Sequence, residues 1–405
     1  MLSGKKTVRK FILLCAFVYF VSYVTRVNYQ AVITAMCEAM GETEATLSVA
    51  LTGSFITYGA GQLVSGFLGD HFHPKKLLSL GLIATSVLNL LVPFFHSPAM
   101  LAVLWSINGF AQSFMWPPLV KTMLMLLSME DYESQAVNVS FGSSGGTMFV
   151  YAAGSLCILI AGWQSVFILS GIIGLVGLFV WNRYCPDFTI TFPERKAVGS
   201  RKKSTAKLWT PLLVLAVLGI LAQGILRDGT ASYMPSFIKD TYKLSSESAI
   251  LSGVLMPVFS LACTKLAAKL HLKWLSNLLL CAFLLFGLSA VSAVLLYFFY
   301  DVTPLLTILL LAILNACTHG VNLMLISYLP AHLADKSRLS TMAGLTNSFA
   351  YLGSAIATYA IPLAVKDASW SATLPIWSGV AIVGMLICAL GIPLYRHKLK
   401  KEAVH

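Results

Sequence analysis

Hydrophobic residues in this chain come in long continuous runs separated by short polar stretches. The runs do not alternate with polar positions, so transmembrane strands are not expected. A helix needs about 20 mostly apolar residues to cross a bilayer. Runs of that kind fall near 11–37, 46–69, 77–95, 98–128, 134–161, 163–184, 210–238, 248–270, 274–299, 304–330, 339–365 and 371–395, which predicts twelve transmembrane helices. The separators carry charge, as in Asp70-His71-Phe72-His73-Pro74-Lys75-Lys76. Gly142, Gly145, Gly146 and Trp116-Pro117-Pro118 fall inside runs; membrane helices tolerate them where neighbouring helices satisfy the freed backbone groups. The one long polar stretch, 185–209, holds Arg195, Lys196, Arg201, Lys202, Lys203 and Lys207. It is too short for a domain and reads as a basic cytoplasmic linker. The expected architecture is an all-α integral membrane protein with two six-helix bundles, 1–184 and 210–405.

Composition supports this. Hydrophobic residues make up 57% of the 405 and charged residues 11%, against about 25% charged in soluble domains. A soluble enzyme and a disordered chain are thereby excluded. The net charge of +12 could suggest nucleic acid, but its placement argues against that partner. With the N-terminus in the cytoplasm, most of the 28 Lys and Arg fall on the cytoplasmic side, including Lys5, Lys6, Arg9, Lys10, Lys75, Lys76, the linker, Lys265, Lys269, Lys273, Lys336, Arg338 and Arg396. Only Lys239, Lys243 and Lys366 fall outside, and Arg26, Lys121 and Arg227 fall within spans. This is the positive-inside pattern. It predicts a multi-pass plasma (inner) membrane protein with both termini cytoplasmic and the lipid bilayer as its surroundings. Arg26 and Asn28 interrupt the signal-like N-terminal run, so an uncleaved first span is expected. The eight cysteines mostly lie in apolar runs without a CxxC pair and read as packing residues.

The halves repeat faintly. Arg26 and Arg227 each lie well inside the first span of their half. Asn108-Gly109-Phe110-Ala111-Gln112 corresponds to Asn315-Ala316-Cys317-Thr318-His319, Ser140-Phe141 to Ser348-Phe349, and Tyr151-Ala152 to Tyr359-Ala360, all at a nearly constant offset. Two such halves around a basic loop suggest a secondary transporter with a midplane site between them.

A central membrane arginine costs roughly 2.5–3.5 kcal/mol on insertion scales, and two in matching positions are hard to explain as packing. The arginine fork grips carboxylate or phosphate through two hydrogen bonds. Arg26 and Arg227 therefore read as an anion clamp, one jaw per half; the plainer alternative pairs each with a buried carboxylate or carbonyl. Acids are scarce: only Asp228 is clearly within a span and Glu38 is near an end. Asp228 follows Arg227 directly, about 100° around the helix, and cannot neutralise both arginines. Few buried acids also means few proton carriers, which favours anion exchange, with Asp228 and His319 the candidates for proton coupling. Tyr19, Tyr23 and Arg26 share one helix face, as do Tyr58 and Gln62; these groups could orient a ligand or simply pack.

Gly66-Phe67-Leu68-Gly69-Asp70-His71-Phe72-His73-Pro74-Lys75-Lys76 resembles the major facilitator loop between spans 2 and 3. The resemblance implies a cytoplasmic gate involving Asp70, Lys75 and Lys76. A narrower resemblance is to the organophosphate:phosphate antiporters, which include bacterial glycerol-3-phosphate and hexose-phosphate transporters. Arg26-Val27-Asn28-Tyr29 is similar to their first-span signature, and Thr57-Tyr58-Gly59 with Ser65-Gly66 and Asp70 to their second span. Asn108 to Gln112, running into Trp116-Pro117-Pro118 and Lys121-Thr122-Met123, resembles span 4, and Ala343 to Gly353 resembles span 11. This implies that Arg26 and Arg227 bind the phosphate-like group, with contacts from Tyr19, Tyr23, Tyr58, Trp116 and Tyr351, and that Lys121 belongs to the gate. The chain departs from the pattern at Val27 and Gln62, where lysines are usual, and around Phe141, where a histidine is usual. Fewer cations therefore line this cavity, and His319 could restore some positive character.

The expected function is alternating-access transport of a small organic anion, an organophosphate exchanged for phosphate, with Gly145, Gly146, Gly344 and Gly353 permitting close helix packing. The alternatives are proton-coupled symport of a sugar acid or other carboxylate, and a membrane sensor of organophosphate. No nucleophile–base pair, metal cluster or nucleotide loop is present in the sequence, so neither catalysis, a metal nor a cofactor is expected. The resemblance implies a monomer.

Overall fold

The structure, a computed structural model, describes residues 4–187, 210–329, 339–366 and 369–402. Most of the predicted linker and the cations Lys336 and Arg338 lie outside the described residues. The first half comprises α1 (Lys5–Met40), α2 (Glu44–His71), α3 (Pro74–Leu91), α4 (Pro98–Gln112), α5 (Trp116–Leu126), α6 (Met129–Ala161) and α7 (Trp163–Tyr184). The second comprises α8 (Pro211–Tyr242), α9 (Ser246–Ser252), α10 (Leu255–Lys273), α11 (Leu278–Phe299), α12 (Pro304–Asn322), α13 (Leu339–Val365) and α14 (Thr373–Glu402). No strand occurs among the described residues.

The helices start where the polar separators supply a cap. Thr43, Ser128, Thr210 and Thr303 each accept a hydrogen bond from a backbone N–H in the first turn of α2, α6, α8 and α12, and Pro211 and Pro304 occupy first-turn positions where no N–H is needed. α1 ends at Gly41, whose φ of 67° is left-handed and open to glycine without a Cβ penalty.

Eleven described stretches are long and apolar enough to cross a membrane. The twelfth crossing is the broken pair α4 and α5. The sequence predicts one helix over 98–128; instead a tight turn intervenes, with Phe114 N–H donating to Ala111 O and Met115 N–H to Gln112 O. Pro117 and Pro118 lack N–H donors and fit only the first turn of a new helix, so α5 restarts beside them. The run near 248–270 also divides, at Gly253-Val254. There α9 meets the other half: a Cβ on Gly253 would stand 2.6 Å from the Tyr151 ring. The run near 304–330 changes from α12 to a π turn, Leu323–Tyr328, an irregularity often found at functional sites.

The largest buried apolar core is drawn from α8 and α10 to α14, and two more almost entirely from α1 to α7. Large apolar side chains such as Leu159, Ile160, Phe179, Leu288 and Leu390 point outward, as a lipid-facing surface requires. Between the halves, α2 packs along α13, and α6 packs on α9 and α10. The second crossing of each half thus lies against the fifth of the other. Gly146 and Gly353 occupy corresponding places: a Cβ on Gly146 would meet the Phe20 backbone of α1, and one on Gly353 the Leu221 backbone of α8. Gly145 and Gly344, predicted to act similarly, face only side chains at ordinary contact distance.

At the end where α1 and α8 finish, polar groups join the halves. Glu38 pairs with Lys239 and accepts from Ser246 Oγ at 2.5 Å. Ser236 Oγ donates to Glu44 Oε1 at 2.6 Å and lies 2.7 Å from Thr34 Oγ1. Ser155 Oγ donates to Glu247 O at 2.9 Å.

Candidate functional site

A cavity of about 1070 Å³ lies between the halves. It gathers Arg26, Arg227, Tyr19, Tyr23, Tyr58, Gln62, Trp116, Lys121, Asp228, His319 and Tyr351. Lys75 is placed elsewhere: its Nζ donates to Asp187 Oδ1 at 2.7 Å and Cys185 O at 2.9 Å, within the first half. That lysine holds the exposed Asp187 carboxyl below the usual range. Lys76 is exposed, and the side chain of Asp70 lies outside the described residues.

The lining follows helical spacing. Tyr19, Tyr23, Arg26 and Gln30 form one stripe of α1, and Tyr58, Gln62 and Ser65 one stripe of α2. Aromatic rings link these residues in series. Trp116 lies 4.6 Å from Tyr19, and Tyr19 meets Tyr23 edge-on at 5.1 Å. The Arg26 guanidinium stands 4.4 Å from the Tyr23 ring centroid and 5.0 Å from that of Tyr58. Tyr58 lies 4.4 Å from Tyr351 of the other half, and Arg227 stands 5.4 Å over Tyr351. The two arginines are thus joined across the interface by two tyrosine rings. Ring faces attract a cation without consuming its N–H donors.

The jaws differ in their partners. Arg227 Nε donates to Asp228 Oδ1 at 3.2 Å and Nη2 to Oδ2 at 2.6 Å, while Ser354 Oγ donates to Asp228 Oδ2. Adjacent positions are about 100° apart on a helix, but the long arginine stem turns its fork back to its neighbour. Among the described residues Arg26 has no ion-pair partner. The plainer sequence reading, a structural pair, therefore describes Arg227 and not Arg26.

Each arginine is held from behind by the asparagine at the repeated position. Asn108 Nδ2 donates to Thr25 O at 3.2 Å, next to Arg26. Asn315 Nδ2 donates to Arg227 O at 2.7 Å and to Thr230 Oγ1 at 2.9 Å. In the first half the network is deeper. Gln112 Nε2 donates to Thr25 Oγ1 and Thr85 Oγ1, both at 2.8 Å, and Gln112 Oε1 accepts from Ser22 Oγ at 2.9 Å. These groups are buried and fix the helix face that presents Arg26.

Two donors on the α2 stripe are buried with no hydrogen-bond partner: Gln62 Nε2 and Ser65 Oγ. A buried unpaired donor costs roughly 1–3 kcal/mol, which a ligand oxygen would recover. Gln30 and Ser354 were not singled out by the sequence, and Ser65 appeared there only in a motif without a site role; continuing the Tyr58–Gln62 and Tyr351 stripes by one turn would have found Ser65 and Ser354. Asp228 is the one carboxylate among the described lining residues, and His319 lies one turn from Asn315 on α12.

The sequence matches the profile of the family described as Major Facilitator Superfamily over residues 15–358. It is 24% identical over 395 residues to the "Glycerol-3-phosphate transporter" of Bacillus subtilis (strain 168), covering 91% of this chain and 88% of that protein. It is also 24% identical over 413 residues to the "Probable hexose phosphate transport protein" of Chlamydia pneumoniae, covering 92% of this chain and 86% of that one. Among solved structures, the D-xylose-proton symporter superposes with a TM-score of 0.75 at 13% identity, covering 95% of this chain and 97% of that one, which shows a shared fold.

Proposed function

Because the chain belongs to the major facilitator superfamily, we propose that it is a secondary active transporter of small organic anions, phosphorylated compounds exchanged for inorganic phosphate. The observation that carries this reading is the cavity in which Arg26 and Arg227 face one another through Tyr58 and Tyr351. Gln62 Nε2 and Ser65 Oγ await acceptors on the same wall. The names borne by the relatives point to phosphate esters. Asp228 is the one carboxylate among the described lining residues, which leaves few proton carriers and favours exchange.

The bundles 1–184 and 210–405 rock about this site in alternating access, in a plasma (inner) membrane with the termini cytoplasmic. The substrate's anionic head draws the halves together, while Lys121, with Asp70 and Lys76, gates the cytoplasmic side and Lys75 ties Asp187 to its own half. The Glu38–Lys239 contact with Ser246, together with the Ser236–Glu44 bond, closes the opposite side. Replacing both charges, as Glu38→Gln with Lys239→Met, should favour opening there. Glu38 is 54% exposed, so its pairing is worth at most about 1 kcal/mol, roughly a fivefold change in population. The measurement is the labelling rate of half-buried Cys37 by an impermeant maleimide, with the other cysteines replaced. An unchanged rate would remove these residues from the gate.

The function itself is tested with purified protein in liposomes loaded with unlabelled phosphate. Labelled phosphate should enter by exchange, and organophosphates should compete with it. No phosphate exchange, together with sugar-acid uptake driven by an imposed pH gradient, would replace this reading with proton-coupled symport.

A further inference from the structure

We propose that Asp228 is a built-in counter-anion, and that the site therefore selects ligands whose anionic head carries one negative charge rather than two. This rests on the anion-site reading above. The charged and titratable groups facing the centre are few. α1 contributes Arg26, Tyr19 and Tyr23, α6 contributes Tyr151, α8 contributes Arg227 and Asp228, α12 contributes His319, and α5 contributes Lys121. α2 and α13 offer uncharged Tyr58, Gln62, Ser65, Tyr351 and Ser354.

Asp228 takes two donors of the Arg227 fork in a bidentate pair, and its Oδ2 also accepts from Ser354 Oγ. Its tether to the adjacent residue keeps its effective concentration at Arg227 high. Arg26, Arg227 and Asp228 together leave one unbalanced positive charge, on Arg26, with Lys121 a further cation on the cavity wall. A singly charged head on Arg26 neutralises it. A doubly charged head brings a second charge that faces the Asp228 carboxylate, and beside side chains only 11% and 16% exposed, those of Arg227 and Asp228, that like-charge contact is stronger than in bulk water. The dianion also gives up more hydration on entry. The phosphorylated substrate therefore binds as its monoanion, and sulfonate or sulfate esters of matching shape bind as well or better.

The test compares two esters of the same shape, propyl phosphate and propyl sulfate, binding to the purified full-length protein. At pH 8 the phosphate ester is doubly charged, because its second pKa is about 6, whereas the sulfate is singly charged throughout. Only about 1% of the phosphate ester is the monoanion at pH 8, so the wild-type protein should bind the sulfate up to about a hundredfold more tightly there. The gap should close at pH 5.5, and taking the ratio of the two ligands at each pH cancels titration of the protein itself. Asp228→Asn leaves the second fork unbalanced and should reverse the preference at pH 8. If that variant does not fold, the wild-type ratio at the two pH values decides alone. A wild-type preference for the phosphate at pH 8, equal binding there, or an unchanged ratio in Asp228→Asn overturns the proposal while leaving the anion site standing. Failure of both esters to bind overturns the anion site and this inference with it.

Discussion

Arg26→Lys should lower the initial rate of phosphate exchange by about 30- to 100-fold, and Arg227→Lys by about tenfold. Hydrogen bonds to charged groups contribute about 1.5–3 kcal/mol each in net terms, and each 1.4 kcal/mol is a factor of ten. Lysine keeps the charge but loses the planar fork and its stacking on aromatic faces. Arg26 stands on the Tyr23 and Tyr58 rings, so its whole fork is available to a ligand. The Arg227 fork is already engaged by Asp228, so a ligand gains fewer bonds there. Exchange rates normalised to protein in the liposome measure both. If Arg227→Lys is the more damaging, the ligand displaces Asp228 rather than leaving it in place. If neither matters, the arginines are structural.

Gln112→Leu should lower stability by about 2 kcal/mol and reduce exchange as well. The side chain is fully buried and makes three hydrogen bonds, to Ser22, Thr25 and Thr85. Side-chain hydrogen bonds in membrane proteins average about 0.6 kcal/mol each, and leucine would also leave the buried Ser22 hydroxyl without its acceptor, whereas Thr25 and Thr85 keep their own donor bonds to Val21 O and Asn108 Oδ1. Thr25 precedes Arg26, so the change should misplace the jaw along with the fold. Gln223→Leu in the other half is the contrast. There Nε2 donates only to Thr318 O, at 3.2 Å, and Oε1 has no partner, so the loss should stay below about 1 kcal/mol. Thermal unfolding of the purified variants separates the two. Equal losses would mean that the network around Gln112 contributes no more than a single bond.

Much of the site was legible because burying charge in a membrane is costly. Arg26, Arg227 and Asp228 stand out against apolar runs, and the structure brings all three to one cavity. The tyrosine stripe on α1 follows from helical spacing alone, and the repeat of Asn108 at Asn315 marked the two residues that support the arginines. Asymmetry between the jaws was not legible. Helical spacing places Asp228 about 100° from Arg227 and is silent on how far an arginine stem bends. Lys75 resembles part of a cytoplasmic gate by its motif, yet its partner, Asp187, follows α7 of its own half.

The sequence by itself determined the helical class, the membrane and the approximate spans. These depend on transfer free energy summed along local stretches, and each run carries its own sum. It also determined which residues were too costly to be ornamental. The tertiary structure alone decided where spans break, since the turn before Trp116 and the kink at Gly253 answer to proline geometry and to the Tyr151 ring across the interface. It decided which glycines are pressed between helices, separating Gly146 and Gly353 from Gly145 and Gly344. It decided as well that Arg227 is paired and that Arg26, among the described residues, is not. Those outcomes depend on the approach of side chains far apart in sequence, and no periodicity within a single run encodes that distance.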